Sequence, residues 1–95
     1  MRFEIDFYEL ALKEWKKLAP DIKAQFRKKL KKLQDNPYVE SARLHDDLKG
    51  CFKIKLRASG YRLVYKVIDN ELVILVIAVG KREKSDVYNN AKQRV

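Results

Sequence analysis

The sequence predicts an α+β domain spanning residues 1–95, with an antiparallel β-sheet, an N-terminal helix pair packed on it and a short C-terminal helix. Three observations carry this prediction. Apolar residues alternate with charged ones in Arg2–Phe7 and again in Cys51–Ile68, apolar residues recur at helical spacing between these segments, and an almost unbroken apolar run follows the second. The predicted element order is β-α-α-β-β-β-α.

The N-terminal third alternates first like a strand and then like two helices. After the Arg2–Phe7 strand, one helical face is predicted to carry the apolar residues Tyr8, Leu12, Trp15 and Leu18. Ala19-Pro20 breaks that helix, because proline suits the first turn of a following helix. The second helix is predicted from Pro20 to Asp35, and its apolar stripe is formed by Ile22, Phe26, Leu30 and Leu33. Asn36-Pro37 ends it.

The central stretch predicts two strands joined by a turn at Ser59-Gly60. With a two-residue turn, Leu56 would lie opposite Leu63 and Lys53 opposite Lys66. Directly opposed residues share a sheet face, so one face is predicted to be apolar. The other, which we term the cationic face, is predicted to gather basic side chains around Val64: Lys53, Lys55, Arg57, Arg62 and Lys66.

The C-terminal third predicts a central strand and a final helix. Asp69-Asn70 is a turn, and Glu71–Val79 is apolar on both sides, as in a strand covered on each face. Ser85 is a suitable N-cap for a helix that reaches Arg94. Val87 and Ala91 are predicted to pack inward, and Tyr88, beside them, either packs or faces outward.

Composition restricts the classes of function. The chain carries 22 Lys and Arg against 13 Asp and Glu, a formal net charge of +9 that indicates a polyanionic partner. A single cysteine excludes an internal disulfide, and one cysteine with one histidine disfavours a zinc site, so no metal or cofactor is expected. No apolar run is long enough to span a bilayer, and the N-terminus lacks the apolar centre of a signal peptide. We therefore expect a cytoplasmic protein with no membrane partner.

The cationic face is the most informative feature of the sequence. No acidic residue occurs between Asp47 and Asp69, whereas six basic residues do. Like charges directly across a strand pair repel, so a sheet that keeps them together favours an anion site over a solvated surface, although both interpretations remain open. The second helix is also strongly basic. A solvated helix face is the simpler interpretation there, and contact with a phosphate backbone through Lys28, Lys31 and Lys32 is the alternative.

Clustered Lys and Arg can act on RNA without a metal ion. No Ser-His-Asp arrangement, Gly-rich phosphate loop or paired-carboxylate cleft is evident in the sequence. In RNA the ribose 2′-OH can attack its own phosphate, so the protein needs to align that attack, move protons and stabilise the charge of the transition state. Crowding of cations lowers a lysine's pKa towards the range of a general base.

Three stretches of the sequence resemble the RelE toxins of the RelE/ParE superfamily. The resemblance is carried by residues 51–69, CFKIKLRASGYRLVYKVID, and by VGKREKSDVY, and DFYELALKEWKKL extends it over nearly the whole chain. These toxins are ribosome-dependent mRNA endonucleases of bacterial toxin–antitoxin pairs. The resemblance implies a RelE-like fold and cleavage of mRNA in the ribosomal A site through a 2′,3′-cyclic phosphate. It assigns catalytic lysines at Lys53 and Lys55, a phosphate-stabilising arginine at Arg62, a leaving-group arginine at Arg82 and a base-stacking ring at Tyr88. Arg57 and Lys66 are expected to bind RNA or the ribosome, as are the helix lysines.

The same resemblance implies partners: a RelB-like antitoxin that wraps the toxin, the mRNA and 70S ribosome, and operator DNA only through the antitoxin complex. Where relatives often carry a basic loop residue, this chain has LHDDLKG, so His45 or Lys49 is a candidate replacement. Two alternatives stay open. One is a ParE-like toxin that inhibits DNA gyrase without cleaving RNA, and the other is a passive module that binds RNA or the ribosome through its basic helix.

Overall fold

The computed structural model describes residues 2–81 and 86–95, which form a four-stranded sheet with helices on both faces. The strands are β1 (Glu4–Phe7), β2 (Cys51–Leu56), β3 (Tyr61–Ile68) and β4 (Val73–Lys81). The helices are α1 (Glu9–Lys16), α2 (Pro20–Leu33) and α3 (Asp86–Arg94). The predicted order of elements is confirmed. None of the helices in the described residues is both long enough and apolar enough to cross a membrane.

The spatial order of the strands is β1-β4-β3-β2. β2 with β3 and β3 with β4 are antiparallel, as predicted, but β1 runs parallel to β4. The pair of helices between β1 and β2 carries the chain back across one face, which allows β1 to pair in this direction. β4 lies between β1 and β3 and is buried along most of its length, so the prediction of a central strand is confirmed.

The sheet separates two apolar cores. The larger lies under α1 and α2 and includes Phe26, Phe52, Leu63 and Tyr65, with the rings of Phe52 and Tyr65 stacked at 5.3 Å. The smaller lies on the opposite face beneath α3 and is formed by Leu48, Cys51, Val64, Ile77, Ala78, Val87 and Ala91. The inward packing of α3 predicted at Val87 and Ala91 is confirmed, whereas the predicted N-cap, Ser85, lies outside the described residues.

The stripe predicted for the first helix is only partly right. Trp15 and Leu18 are buried, but Tyr8 and Leu12 are exposed, and Ala11 faces the sheet instead. Tyr8 has an extended backbone and precedes the first helical residue, so it cannot share the helical face. The small side chain of Ala11 sits fully buried where a larger residue was expected. In α2, by contrast, Ile22, Phe26 and Leu30 are buried as predicted.

The turn of the central hairpin is longer than predicted. Leu56 pairs directly with Tyr61, so residues 57–60 form a four-residue connection in which Gly60 has a φ of +78°. The hydrogen bond from the Gly60 amide to the Leu56 carbonyl, 2.9 Å long, closes it. The register therefore differs by two residues from the prediction, and Lys53 lies opposite Val64 rather than Lys66. Because side chains alternate with a period of two, a shift of two leaves the residues that remain in β2 and β3 on their predicted faces.

One irregularity interrupts the pairing of β3 with β4. Val64 pairs with Ala78 and Tyr65 with Val76, which leaves Ile77 as an extra residue in β4. This β-bulge turns the strand, so Ile77 and Ala78 both face the smaller core. Val79 returns to the larger core, and Gly80 then lies on the same face as its partner Arg62.

Truncation of the fully buried Phe26 tests the larger core. We expect Phe26→Ala to lower the free energy of unfolding in urea by about 3–5 kcal/mol, because it removes a ring that contacts Trp15 and leaves a cavity. The matched control is Gln25→Ala on the exposed side of the same helix, which should change stability by less than about 0.5 kcal/mol. Equal effects of the two substitutions would contradict this description of the core.

Candidate active site

The pairing of strands brings the basic side chains of β2 and β3 together on one face. Lys55 lies opposite Arg62, Lys53 opposite Val64, and Lys66 opposite Cys51. Val64 and Cys51 belong to the smaller core, so this is the face that α3 covers in part. Lys53, Lys55, Arg62 and Lys66 therefore share the cationic face, as the alternation predicted. Arg57 was predicted to lie on it too, but it belongs to the turn after β2 and is exposed there.

Arg62 is at the centre of this face. It pairs with Lys55 on one side and with Gly80 of β4 on the other, and its side chain is 6% exposed. One guanidinium nitrogen, Nη1, donates a 3.0 Å hydrogen bond to the carbonyl oxygen of Tyr61. Within residues 2–81 and 86–95, the only ion pairs are Arg43–Glu40 and Arg94–Glu14, so no described carboxylate neutralises Arg62. A buried cation is normally paired or hydrogen-bonded, and the described hydrogen bond of this guanidinium is the one to the Tyr61 carbonyl.

The crowding of cations changes the acidity of Lys55. The charge of Lys53 is the main cause that lowers the pKa of Lys55 below the ordinary value of a lysine. The close approach of the two amines, desolvation, and the charges of Arg62 and Arg57 act in the same direction. A lower pKa increases the neutral fraction of Lys55 near neutral pH, and only the neutral amine can accept a proton.

The helix α3 borders the same face. Val87 lies close to Gly80, since a Cβ built on that glycine would be 3.7 Å from the Cβ of Val87. The next residue, Tyr88, is half-buried and packs against the smaller core. The sequence left open whether Tyr88 packs or faces outward, and its ring is in part packed and in part exposed. The start of α3 therefore lies one strand away from Arg62. Arg82, the remaining predicted catalytic residue, lies outside the described residues.

Two grooves extend the basic surface beyond the sheet face. One, of about 290 Å³, runs along the outer edge of β2 and is lined by basic residues of α2 and β2 over an apolar floor. Its basic residues are Lys29, Lys32, Lys53 and Lys55. The other, of about 330 Å³, is lined by Arg2, Lys28, Lys31, Lys32 and Asp35. Lys32 lines both grooves, whereas Lys28 and Lys31 line the second one, beside Arg2. Lys29 also lines the first groove, and no feature of its sequence pattern distinguished it from the neighbouring lysines.

The connection between α2 and β2 contributes residues that the sequence analysis did not select. Ser41 and Ala42 line a cleft of about 270 Å³ together with Lys53, Lys55 and Arg57. Arg43 forms an isolated antiparallel bridge with Phe52, and its guanidinium lies 5.1 Å from the centre of that ring. This stretch has no helical or strand period, so its contact with the site was not predictable from pattern. His45 and Lys49 lie further along the same connection and are exposed, whereas Leu44 and Leu48 beside them pack against the smaller core.

Comparison with known proteins identifies the family. The family model described as the ParE toxin of the type II toxin–antitoxin system parDE matches residues 5–85. An Escherichia coli protein described as RelE-like is 61% identical over 95 residues, which cover 100% of this chain and 99% of that protein. The mRNA interferase toxin RelE of Escherichia coli K12 is 50% identical with the same coverage.

The chain belongs to the RelE/ParE toxin family.

Solved structures of the family share the fold described above. A doubly substituted Escherichia coli RelE toxin in the free state superposes with a TM-score of 0.91 at 48% identity, covering 100% of this chain and 99% of that one. The toxin in the intact Escherichia coli RelBE toxin–antitoxin complex has a TM-score of 0.81 at 49% identity and covers 86% of this chain and 99% of that one. The resemblance found in the sequence is therefore confirmed, and the fold is that of the RelE toxins.

The interaction between Lys53 and Lys55 can be tested without any substrate. We expect Lys53→Met to raise the pKa of Lys55 towards the ordinary value of a lysine, because the substitution removes the nearest positive charge. The pKa is measured by following the Lys55 side-chain NMR signal against pH. Lys66→Met is the matched control, since Lys66 is not among the causes of the Lys55 shift. A Lys55 pKa that does not respond to Lys53→Met would contradict this account of the site.

Proposed function

We propose that this chain is the toxin of a type II toxin–antitoxin system, an endoribonuclease that cleaves mRNA in the ribosomal A site and so inhibits translation. In this proposal residues 1–95 act as one RelE-like toxin domain. The observation that supports it most strongly is the crowding of Lys53, Lys55 and the buried Arg62 on a single sheet face. The full-length similarity to an mRNA interferase points to the same activity.

The proposed reaction is an attack of the ribose 2′-oxygen on the adjacent phosphorus. Neutral Lys55 accepts the proton of the 2′-OH, and Lys53 keeps the pKa of Lys55 low and holds the phosphate by its charge. As the 2′-oxygen adds to phosphorus, negative charge develops on the phosphate oxygens. Arg62, already buried, stabilises that charge without reorganisation. The bond to the 5′-oxygen then breaks, and this oxygen takes up a proton from water, so the products are a 2′,3′-cyclic phosphate and a free 5′-hydroxyl.

Two further residues complete the proposed site. Arg82, assigned through the family resemblance, stabilises the leaving 5′-oxygen, and its role stays a prediction. Tyr88 stacks on a base next to the scissile phosphate; it lies on the helix that borders the cationic face and keeps part of its ring exposed. Stacking would hold the nucleotide in the orientation that an in-line attack requires.

The partners follow from the charge and from the family. The RelE toxin of Escherichia coli has been seen in an intact complex with its antitoxin, and a RelB-like antitoxin is the partner proposed here. A net charge of +9 favours an acidic segment that wraps the toxin. The 70S ribosome with its mRNA is the proposed target, which places the protein in the cytoplasm, and operator DNA is contacted only through the antitoxin complex. Arg57 and Lys66, with Lys28, Lys31 and Lys32, are the proposed contacts to RNA.

A ParE-like inhibitor of DNA gyrase is the alternative within the family, since the matching family model is described by ParE toxins. The identity of 50% with an mRNA interferase over the whole chain favours cleavage over this alternative. A passive module that binds RNA or the ribosome is disfavoured for the same reason.

Primer extension on a defined mRNA separates these functions. The protein is added to a purified translation mixture and, separately, to the same mRNA without ribosomes. We expect new 5′ ends within translated codons only when ribosomes are present. Absence of new ends in both reactions, together with inhibition of gyrase supercoiling, would replace the proposal by the ParE-like alternative. Binding to ribosomes without any new ends would leave a passive module.

Replacement of Arg62 by lysine tests the buried guanidinium. We expect Arg62→Lys to lower the rate of mRNA cleavage by about 10²–10³-fold, because lysine keeps the charge but lacks the planar set of donors. Ribosome binding should remain. The control is Arg27→Lys at an exposed position of α2, which should cleave like the unaltered protein. Urea unfolding of both variants establishes that they are folded, and full cleavage by folded Arg62→Lys would remove Arg62 from the mechanism.

The helix lysines are expected to contribute affinity rather than chemistry. Lys31→Ala combined with Lys32→Ala should weaken ribosome association and reduce its dependence on salt concentration, with the cleavage positions unchanged, because each phosphate contact releases a counter-ion. Association is measured by pelleting with ribosomes at several salt concentrations. Lys16→Ala with Lys17→Ala removes the same charge from an exposed part of the chain near the end of α1 and serves as the control. Equal losses in the two double variants would indicate a non-specific effect of net charge.

A further inference from the structure

The edge of β4 next to β1 is open along its second half. β1 ends at Phe7, which pairs with Val76, whereas β4 continues to Lys81. Beyond Val76 no strand of the described residues covers this edge, and its backbone groups need other partners. Two side chains supply them. The Val79 amide donates a 3.1 Å hydrogen bond to Oε1 of Glu14, and Nη1 of Arg94 donates a 2.9 Å hydrogen bond to the carbonyl of Ile77.

The same two side chains bind each other. Nη1 and Nη2 of Arg94 lie 2.9 and 3.1 Å from the two carboxylate oxygens of Glu14, a bidentate arrangement. Asn90 adds a longer hydrogen bond of 3.4 Å to Glu14. The pair is well shielded, with side-chain exposures of 11% for Arg94 and 25% for Glu14. It differs from the pair of Arg43 with Glu40, whose carboxylate is 81% exposed.

This ion pair joins elements that lie on opposite faces of the sheet. Glu14 belongs to α1, which packs on the larger core, and Arg94 ends α3, which packs on the smaller one. The connection therefore passes around the open edge of β4. α3 buries two apolar side chains, Val87 and Ala91, and Tyr88 packs in part beside them. The polar contacts at Asn90 and Arg94 continue the same inward side of the helix and fix its rotation about its own axis.

The rotation of α3 determines where Tyr88 points. Tyr88 is one residue from Val87 and therefore sits at the flank of the inward side, with its ring partly packed and partly exposed. A small rotation in one direction would bury the ring, and in the other would turn it away from Arg62.

We propose that Glu14 and Arg94 are positioning residues for RNA cleavage, which act by fixing the rotation of α3 so that Tyr88 is presented beside the cationic face. This inference rests on the function proposed above. Neither side chain touches RNA. Their effect on the reaction passes through the ring of Tyr88, so it should vanish when that ring is absent.

A double-mutant cycle tests this dependence. Cleavage of mRNA on programmed ribosomes is measured for the unaltered protein, Glu14→Gln, Tyr88→Ala and the combined variant. We expect Glu14→Gln to lower kcat by about ten- to a hundredfold with little change in KM, since a misplaced stacking group impairs alignment more than binding. In the Tyr88→Ala background the same substitution should have no further effect. Glu9→Gln on the exposed side of α1 removes the same charge and should cleave normally.

Two results would overturn the proposal. One is an equal fall in kcat from Glu14→Gln with and without the Tyr88 ring, which would indicate a general loss of structure. The other is unchanged cleavage by folded Glu14→Gln. Arg94→Lys, which keeps the charge but not the bidentate geometry, provides the same cycle if Glu14→Gln does not fold, with the same two results against the proposal. Failure of the function itself is distinct, because then the unaltered protein would produce no new 5′ ends.

Discussion

The mutual repulsion of the cations on one sheet face is the constraint on which the rest of the structure depends. Strand pairing holds Lys55 and Arg62 directly opposite each other, and the repulsion between their charges destabilises that pairing. Burial of Phe52, Leu63 and Tyr65 on the other face of the same strands offsets this repulsion. The hydrophobic layer thus keeps these like charges together on one face of the sheet.

The sequence predicted the sheet face on which a residue lies more reliably than the residue that pairs with it. Alternation assigned Lys53, Lys55 and Arg62 to one side, and that assignment survived an error of two residues in register because the period of a strand is also two. The parallel pairing of β1 with β4 was not predictable, since it joins residues almost seventy positions apart and depends on how the helix pair returns the chain. The same holds for Ala11, whose role depends on how closely α1 approaches the sheet.

The site was predictable to a different degree in each of its parts. Two lysines and an arginine followed from the alternation of residues, whereas Arg82 and Tyr88 needed the family resemblance. The contacts of Glu14 with Arg94 gave no signal at all, because the residues are 80 positions apart and each is an ordinary charged residue on a helix. They are distinguished by their hydrogen bonds to the backbone of β4 at Val79 and Ile77, which depend on the three-dimensional arrangement of the sheet edge.

The extra residue at Ile77 has a consequence for how this family can change in length. The residues of β4 after the bulge alternate between the two sheet faces in the opposite order to those before it. Gly80 therefore lies opposite Arg62, and its lack of a side chain leaves room for Val87 of α3. If β4 paired with β3 without a bulge and with its sequence unchanged, Val79 would lie opposite Arg62, and Gly80 would lie opposite Tyr61 on the face of the larger core. The bulge thus absorbs one residue of length: a strand shortened by Ile77 would still place Gly80 opposite Arg62, whereas a strand shortened by Val79 would place Gly80 opposite Leu63 on the other face.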